Sequence, residues 1–129
     1  MNQITINTSN PKQIIDITEE INSTLEIENG ICNIHIIHST AAITTADLDP
    51  GTDLDMLDAF EKMVPKLNYR HPHNPAHVGD HIMASLIGPS VNIPIENGKL
   101  LLGTWQSVVL IEFNGPRNRT VIITTTNEG

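Results

Sequence analysis

Apolar and polar positions along the 129-residue chain change period several times, and each change predicts an element. Over residues 3–8 they alternate, with Ile4 and Ile6 on one side, as in a half-buried strand. Asn10, Pro11 and Gln13 have the spacing of an N-cap, a first helical position and a capping-box partner. Ile14, Ile17, Ile21 and Leu25 follow at helical intervals, and Asn29-Gly30 stops them, which predicts a first helix. Residues 31–45 are rich in β-branched side chains and read as one long strand. Asp49-Pro50-Gly51-Thr52 opens a second helix carrying Leu54, Leu57, Phe60 and Val64, which ends near Pro65. After a loop over 66–75, a shorter helix runs from about 76 to 86 and Gly88-Pro89 breaks it.

From there the pattern is strand. Val91, Ile93 and Ile95 alternate up to Asn97-Gly98, a strong two-residue hairpin signal, and residues 99–104 return. Residues 107–113 and 119–126 predict a second hairpin around Asn114-Gly115-Pro116. The order β-α-β-α-α-β-β-β-β, with no linker, repeat or low-complexity tract, predicts one α+β domain over 1–129 with a large, mainly antiparallel sheet and about three helices. A dinucleotide-binding fold is not expected, because no strand leads into a glycine-rich phosphate loop.

Composition narrows the function classes. The net charge is −8 and the only aromatic side chains are Phe60, Tyr69, Trp105 and Phe113. Such a chain lacks the cations and rings of a general nucleic-acid binder and the basic surface that adsorbs to anionic membranes. Its apolar runs are short, and residues 1–10 have neither the basic start nor the apolar centre of a signal peptide, so a cytoplasmic protein is expected. Cys32 is the single cysteine, which excludes an intrachain disulfide or a cysteine-based zinc ribbon. Eleven of the 15 acidic residues fall between Asp16 and Glu61, where solvated helix faces account for them, and Asp49 suits a helix cap.

Histidine stands out, with four of six between Leu67 and Ile82. His38 shares strand parity with Cys32, Ile34 and Ile36 and is followed by the hydroxyls of Ser39 and Thr40. It is the first polar group where an apolar strand face meets an edge. His35 has the opposite parity and reads as an ordinary strand histidine; His73 reads as an ordinary loop histidine, though with His71 it lies where a third ligand could be added. His77 and His81 have the i, i+4 spacing by which two imidazoles grip one ion, but Val78 stands where zinc proteases carry a glutamate. The competing reading is a solvated histidine-rich segment. Glu112 shares parity with Val108 and Leu110, so its carboxylate needs a histidine, an arginine or a metal; Arg117 or Arg119 is the plain structural partner, and the two arginines could equally bind a phosphate or solvate their turn.

The ordered segments His38-Ser39-Thr40-Ala41-Ala42-Ile43-Thr44, Asp49-Pro50, Val64-Pro65, Tyr69-Arg70-His71, residues 81–90, Asn97-Gly98-Lys99-Leu100, Leu102-Gly103-Thr104-Trp105-Gln106 and Glu112-Phe113-Asn114-Gly115-Pro116-Arg117 together resemble the YjbQ-like family. The resemblance covers roughly two-thirds of the chain. It implies an α+β fold assembled as a homotrimer, a pocket gathering His38, His71 and His81, and a secondary thiamine-phosphate synthase activity that joins a pyrimidine diphosphate to a thiazole phosphate. The chain departs from the family pattern at Ala46-Asp47, which removes a carboxylate, and at His77-Val78-Gly79-Asp80, which adds a histidine.

The leading expectation is therefore a small trimeric enzyme acting on a phosphorylated metabolite, with His38, His81 and Glu112 as catalytic groups. Ser39, Thr40, Gln106 and Arg117 would donate to the anion. Three imidazoles (His38, His71 and His81) leaving one position open suit a divalent ion, zinc first. Without metal, the same rings would act as general acids and bases or bind phosphate when protonated. The rival expectation is a non-catalytic module in which the histidines bind metal or a small anion for sensing or trimer stability. Neither requires a nucleotide cofactor.

Overall fold

The computed structural model describes residues 1–71 and 75–128. Eight strands and three α-helices form an α+β fold: β1 (Asn2–Asn7), β2 (Gln13–Asp16), α1 (Thr18–Asn22), β3 (Gly30–Ile36), β4 (Ala41–Ala46), α2 (Thr52–Met63), a single 3-10 turn (Pro75–His77), α3 (Val78–Ile87), β5 (Ser90–Glu96), β6 (Lys99–Leu100), β7 (Ser107–Glu112) and β8 (Asn118–Asn127). All pairings are antiparallel, in two sheets ordered β1-β8-β3-β5-β6 and β2-β7-β4.

The three-stranded sheet is the middle of three layers. Val108 and Leu110 of β7 face the five-stranded sheet and join Ile34, Ile36, Val121 and Ile123 in one core. Val109 and Ile111 point the other way, into a second core with Met83, Ala84 and Phe113, flanked by Leu57, Phe60 and Val64 of α2. Strand alternation thus explains why the apolar run 108–111 is unbroken and fully buried: both faces of β7 are covered.

Local signals set several elements. The β5–β6 hairpin turns at Asn97 (φ 53°) and Gly98 (φ 78°), the positive dihedrals that Asn-Gly adopts readily, with Glu96 paired to Lys99. Beyond it, β6 stops at Leu100 rather than running to 104. Helix α2 matches its predicted span, but Gly51 (φ 90°), not Asp49, is its N-cap residue. The Asp49 carbonyl accepts from the Thr52 amide (2.9 Å), and its side chain makes no cap.

Three expectations are corrected, each by tertiary pairing. The first helix expected over 14–25 is β2 followed by the short α1. Consecutive Ile14 and Ile15 pair with Ile111 and Leu110 and serve opposite cores, a solution open only to a strand. The side-chain carbonyl of Gln13 still accepts from the Ser9 and Asn10 amides (2.9 and 3.3 Å), so its local bonding resembles a capping box without a helix behind it. The strand expected over 31–45 is two strands in different sheets. The chain leaves β3 after Ile36, whose amide donates to the Pro89 carbonyl (2.9 Å), and crosses to β4 through residues 37–40. Likewise β7 and β8 are not a hairpin; residues 113–117 carry the chain from one sheet to the other. Gly115 in that crossing meets the Asn10 carbonyl oxygen so closely that a Cβ would lie 2.3 Å from it.

Candidate functional site

Both crossings lie at the same end of the molecule, and the polar residues they carry converge. Arg119 has the inward parity of Val121 and Ile123 on β8, and Glu112 ends the buried run of β7. They meet as an ion pair with side chains 2% and 0% exposed. Arg119 Nε donates to Glu112 Oε1 (2.9 Å) and Oε2 (3.2 Å), and Nη2 donates to Oε2 as well. The same Nη2 reaches Thr40 Oγ1 (2.9 Å) and the Thr40 carbonyl (3.2 Å). Thr8 Oγ1 donates to Glu112 Oε1 (2.7 Å), and the Asn114 amide donates to Oε2 (3.1 Å). Burial pushes the Glu112 carboxyl up, but the Arg119 guanidinium, the Thr8 hydroxyl and the Asn114 amide outweigh it and hold the pKa below the usual glutamate value.

His38 stands beside this pair, in the crossing from β3 to β4. Its Nε2 accepts the Thr120 amide (2.9 Å), so the ring takes up a main-chain donor where β3 has ended. An accepting Nε2 leaves the proton of the neutral imidazole on Nδ1. Burial lowers its pKa first, then the positive field of Arg119; Glu112 raises it in part, and Arg117 adds to the lowering. The result is a neutral imidazole at pH 7, stationed where a buried polar network approaches the surface.

Around it, Ser39 and Arg117 are exposed, and Arg117 Nε donates to the Asn114 carbonyl (2.8 Å). Thr40 and Glu112 lie beneath, with their polar atoms engaged, in the position of supports rather than of groups that touch a ligand. Gln106 lies at the other end of β7, where its Nε2 donates to Thr45 Oγ1 (3.2 Å). Another group gathers His71, His77 and His81. The His71 and His81 rings stack with centroids 5.3 Å apart, and His77 Nδ1 lies 3.5 Å from Asp80 Oδ2, while Asp80 Oδ1 binds Lys12. Among the described residues no three His, Cys, Asp or Glu side chains form a group able to hold a metal ion. The set His38, His71 and His81 is not among such groups in the single chain. His73 lies outside the described residues. His35, at the middle of β3, bonds Ser90 Oγ through Nδ1.

Sequence reasoning singled out Glu112 and His38 but treated Arg119 only as a plain partner. Its signal was parity: a charged residue inward on a strand between apolar neighbours demands a buried counter-charge. Reasoning missed a cleft of about 800 Å3 between α2 and α3, walled by Leu57, Phe60, Val64, Met83 and Phe113. Its lining comes from α2 and α3 and from Val64, Pro65, Leu67, Tyr69 and Phe113 around them, residues whose spacing along the chain gives no sign that they surround one space.

An antiparallel two-sheet α+β fold with this corner defines the class. The chain matches the UPF0047 protein YjbQ-like family over residues 2–128 and belongs to that family. It is similar to a UPF0047 protein of Archaeoglobus fulgidus, 37% identical over 122 residues, covering 94% of this chain and 97% of that one. UPF0047 protein YugU of Bacillus subtilis is also 37% identical, covering 92% of each. Among solved structures, a YjbQ/UPF0047 family protein of Clostridium acetobutylicum superposes with a TM-score of 0.89 at 37% identity, covering 98% of this chain and 100% of that one. A YbjQ-like protein of unknown function from Sulfolobus solfataricus P2 reaches 0.90 at 31% identity, covering 98% and 96%. No helix of the described chain is long and apolar enough to cross a membrane.

Proposed function

We propose that the chain is a small homotrimeric enzyme that acts on a phosphorylated metabolite at the corner around His38. The observation that carries this reading is the neutral His38 ring, fixed by the Thr120 amide and backed by the buried Glu112–Arg119–Thr40 network. With Nε2 taken by the Thr120 amide, the neutral ring presents Nδ1–H as a fixed donor to a ligand oxygen, and it takes up a proton at Nε2 only when that bond is released. Arg117 and Ser39, both exposed beside it, are the cation and hydroxyl that a phosphate group requires. Glu112 and Arg119 act as positioning residues. Secondary thiamine-phosphate synthase activity, implied by the family resemblance, supplies the first substrate pair to assay. No step is assigned to a metal.

The test is titration of the purified protein with inorganic phosphate by calorimetry, together with turnover of a pyrimidine diphosphate and a thiazole phosphate. Arg117→Ala and Ser39→Ala are expected to weaken phosphate binding. His38→Gln is expected to lower turnover by ~10²-fold or more with binding largely kept. Phosphate binding that survives all three substitutions unchanged sinks the reading. Binding that depends on Arg117 with no turnover of any phosphorylated compound favours the non-catalytic module.

A further inference from the structure

The end of β7 opposite His38 carries an apolar projection. In the loop between β6 and β7, Trp105 is 72% exposed and Leu101 is 50% exposed. The loop is rigidly held. The Gly103 amide donates to Gln106 Oε1 (3.1 Å), the Gln106 amide donates to the Gly103 carbonyl (3.1 Å), and Gln106 Nε2 ties the turn to Thr45. The main chain beneath the indole is fixed by three hydrogen bonds, so docking costs little backbone entropy. Aromatic anchors of this kind dominate protein interfaces.

The same chain has a matching hole. The cleft between α2 and α3 has about 800 Å3 of space, enough for an indole and a leucine side chain together, and apolar walls from Leu57, Phe60, Val64, Met83 and Phe113. Phe113 directly follows Glu112, so the cleft lies at the far end of β7, about 17 Å from the loop by strand rise. The loop therefore cannot fill its own cleft. No charged residue occurs between Lys99 and Glu112, so the projection brings no like charge to the Asp58, Glu61, Asp80, Lys12 and Lys66 side chains that line the cleft.

We propose that Trp105 of one copy docks in the α2–α3 cleft of a second copy, head to tail. A heterologous contact whose two halves sit at opposite ends of the protomer repeats from copy to copy and closes into a ring when the rotation permits. This inference rests on the assembly part of the proposed function and names the contact that makes it. It also brings Gln106 of each copy towards Phe113 at the far end of the neighbour's β7, which the single chain keeps apart from it.

Trp105 is the chain's single tryptophan, so its fluorescence reports the contact directly. The experiment combines light scattering with Trp105 emission and acrylamide quenching on the full chain. Expected are an assembled wild type with blue-shifted, shielded emission and, for Trp105→Ala, association weakened by roughly thirtyfold or more. A Leu54→Glu, Leu67→Glu double variant changes two exposed cleft-lining positions, so it keeps its fold by circular dichroism, and it is expected to lose association with red-shifted emission. Mixing the two variants leaves one intact projection and one intact cleft, and should yield a heterodimer whose emission returns to the blue. An assembled wild type with freely quenched Trp105, a Trp105→Ala protein that assembles like wild type, or a mixture that stays monomeric overturns the docking alone. A wild type that is monomeric at all concentrations overturns the docking and the homotrimer together.

Discussion

The two ends of β7 invert the usual rule of burial in opposite senses. At one end a charged pair, Glu112 and Arg119, is almost wholly buried. At the other, Leu101 and Trp105 face solvent. The buried charges are tolerated because the hydroxyls of Thr8 and Thr40 and the amide of Asn114 complete their hydrogen bonding. The exposed apolar groups have no such compensation within the chain. A polar group that is buried and satisfied is explained by its own protomer; an apolar group that is exposed and rigid points outside it.

Breaking the charged end should have the largest effect. Glu112→Gln or Arg119→Met alone leaves one buried group without its counter-charge and is expected to destabilise the protomer by about 3–5 kcal/mol in urea denaturation. Glu112→Leu combined with Arg119→Met should recover most of that loss, because no unpaired charge remains. A double variant as unstable as the singles would show that the pair contributes more than mutual neutralisation. Next in size, Thr8→Val removes one donor to a carboxylate that keeps its arginine, and should cost about 1–2 kcal/mol.

Acidity tests the same end more gently. The folded state holds His38 below its ordinary pKa, so the unfolded chain binds a proton first as pH falls below about 6.5. Stability attributable to His38 is therefore full at higher pH and declines as pH drops through that value. Melting temperatures measured from pH 8 to pH 5 should fall less steeply for His38→Gln than for the wild type; equal slopes would remove His38 from the account. The smallest effect is expected at the apolar end. Trp105→Ala should change the unfolding free energy of the single chain by no more than about 0.5 kcal/mol. A larger loss would mean that the indole packs within its own chain, which would dissolve the contrast between the two ends.

Where the elements depend on neighbours in sequence, they were legible. Asn97-Gly98 demands positive dihedrals whatever surrounds it, and α2 shows its apolar stripe and its terminating Pro65 without reference to the rest of the chain. Glu112 was legible as a buried carboxylate from strand parity alone, as was the singularity of His38 at the end of an apolar face. The errors share one cause. Ile14, Ile17 and Ile21 fit a helix by spacing, and Ile17 and Ile21 are indeed both buried one turn apart. Yet Ile14 and Ile15 pair with β7, and that partner lies about a hundred residues away.

What the sequence by itself determined is the α+β class, the family, the aliphatic character of the core, and the residue types available for chemistry. These follow from local period and composition, which every window of the chain carries. Tertiary structure alone decided that residues 31–45 divide between two sheets and that β7 and β8 part company. It also decided that Arg119 closes on Glu112, that His38 takes the Thr120 amide, and that His71 and His81 stack. The physical reason is that a strand's hydrogen bonds and a buried ion's partner are supplied from distant parts of the chain. Local sequence records the need for such a partner and not where it will come from.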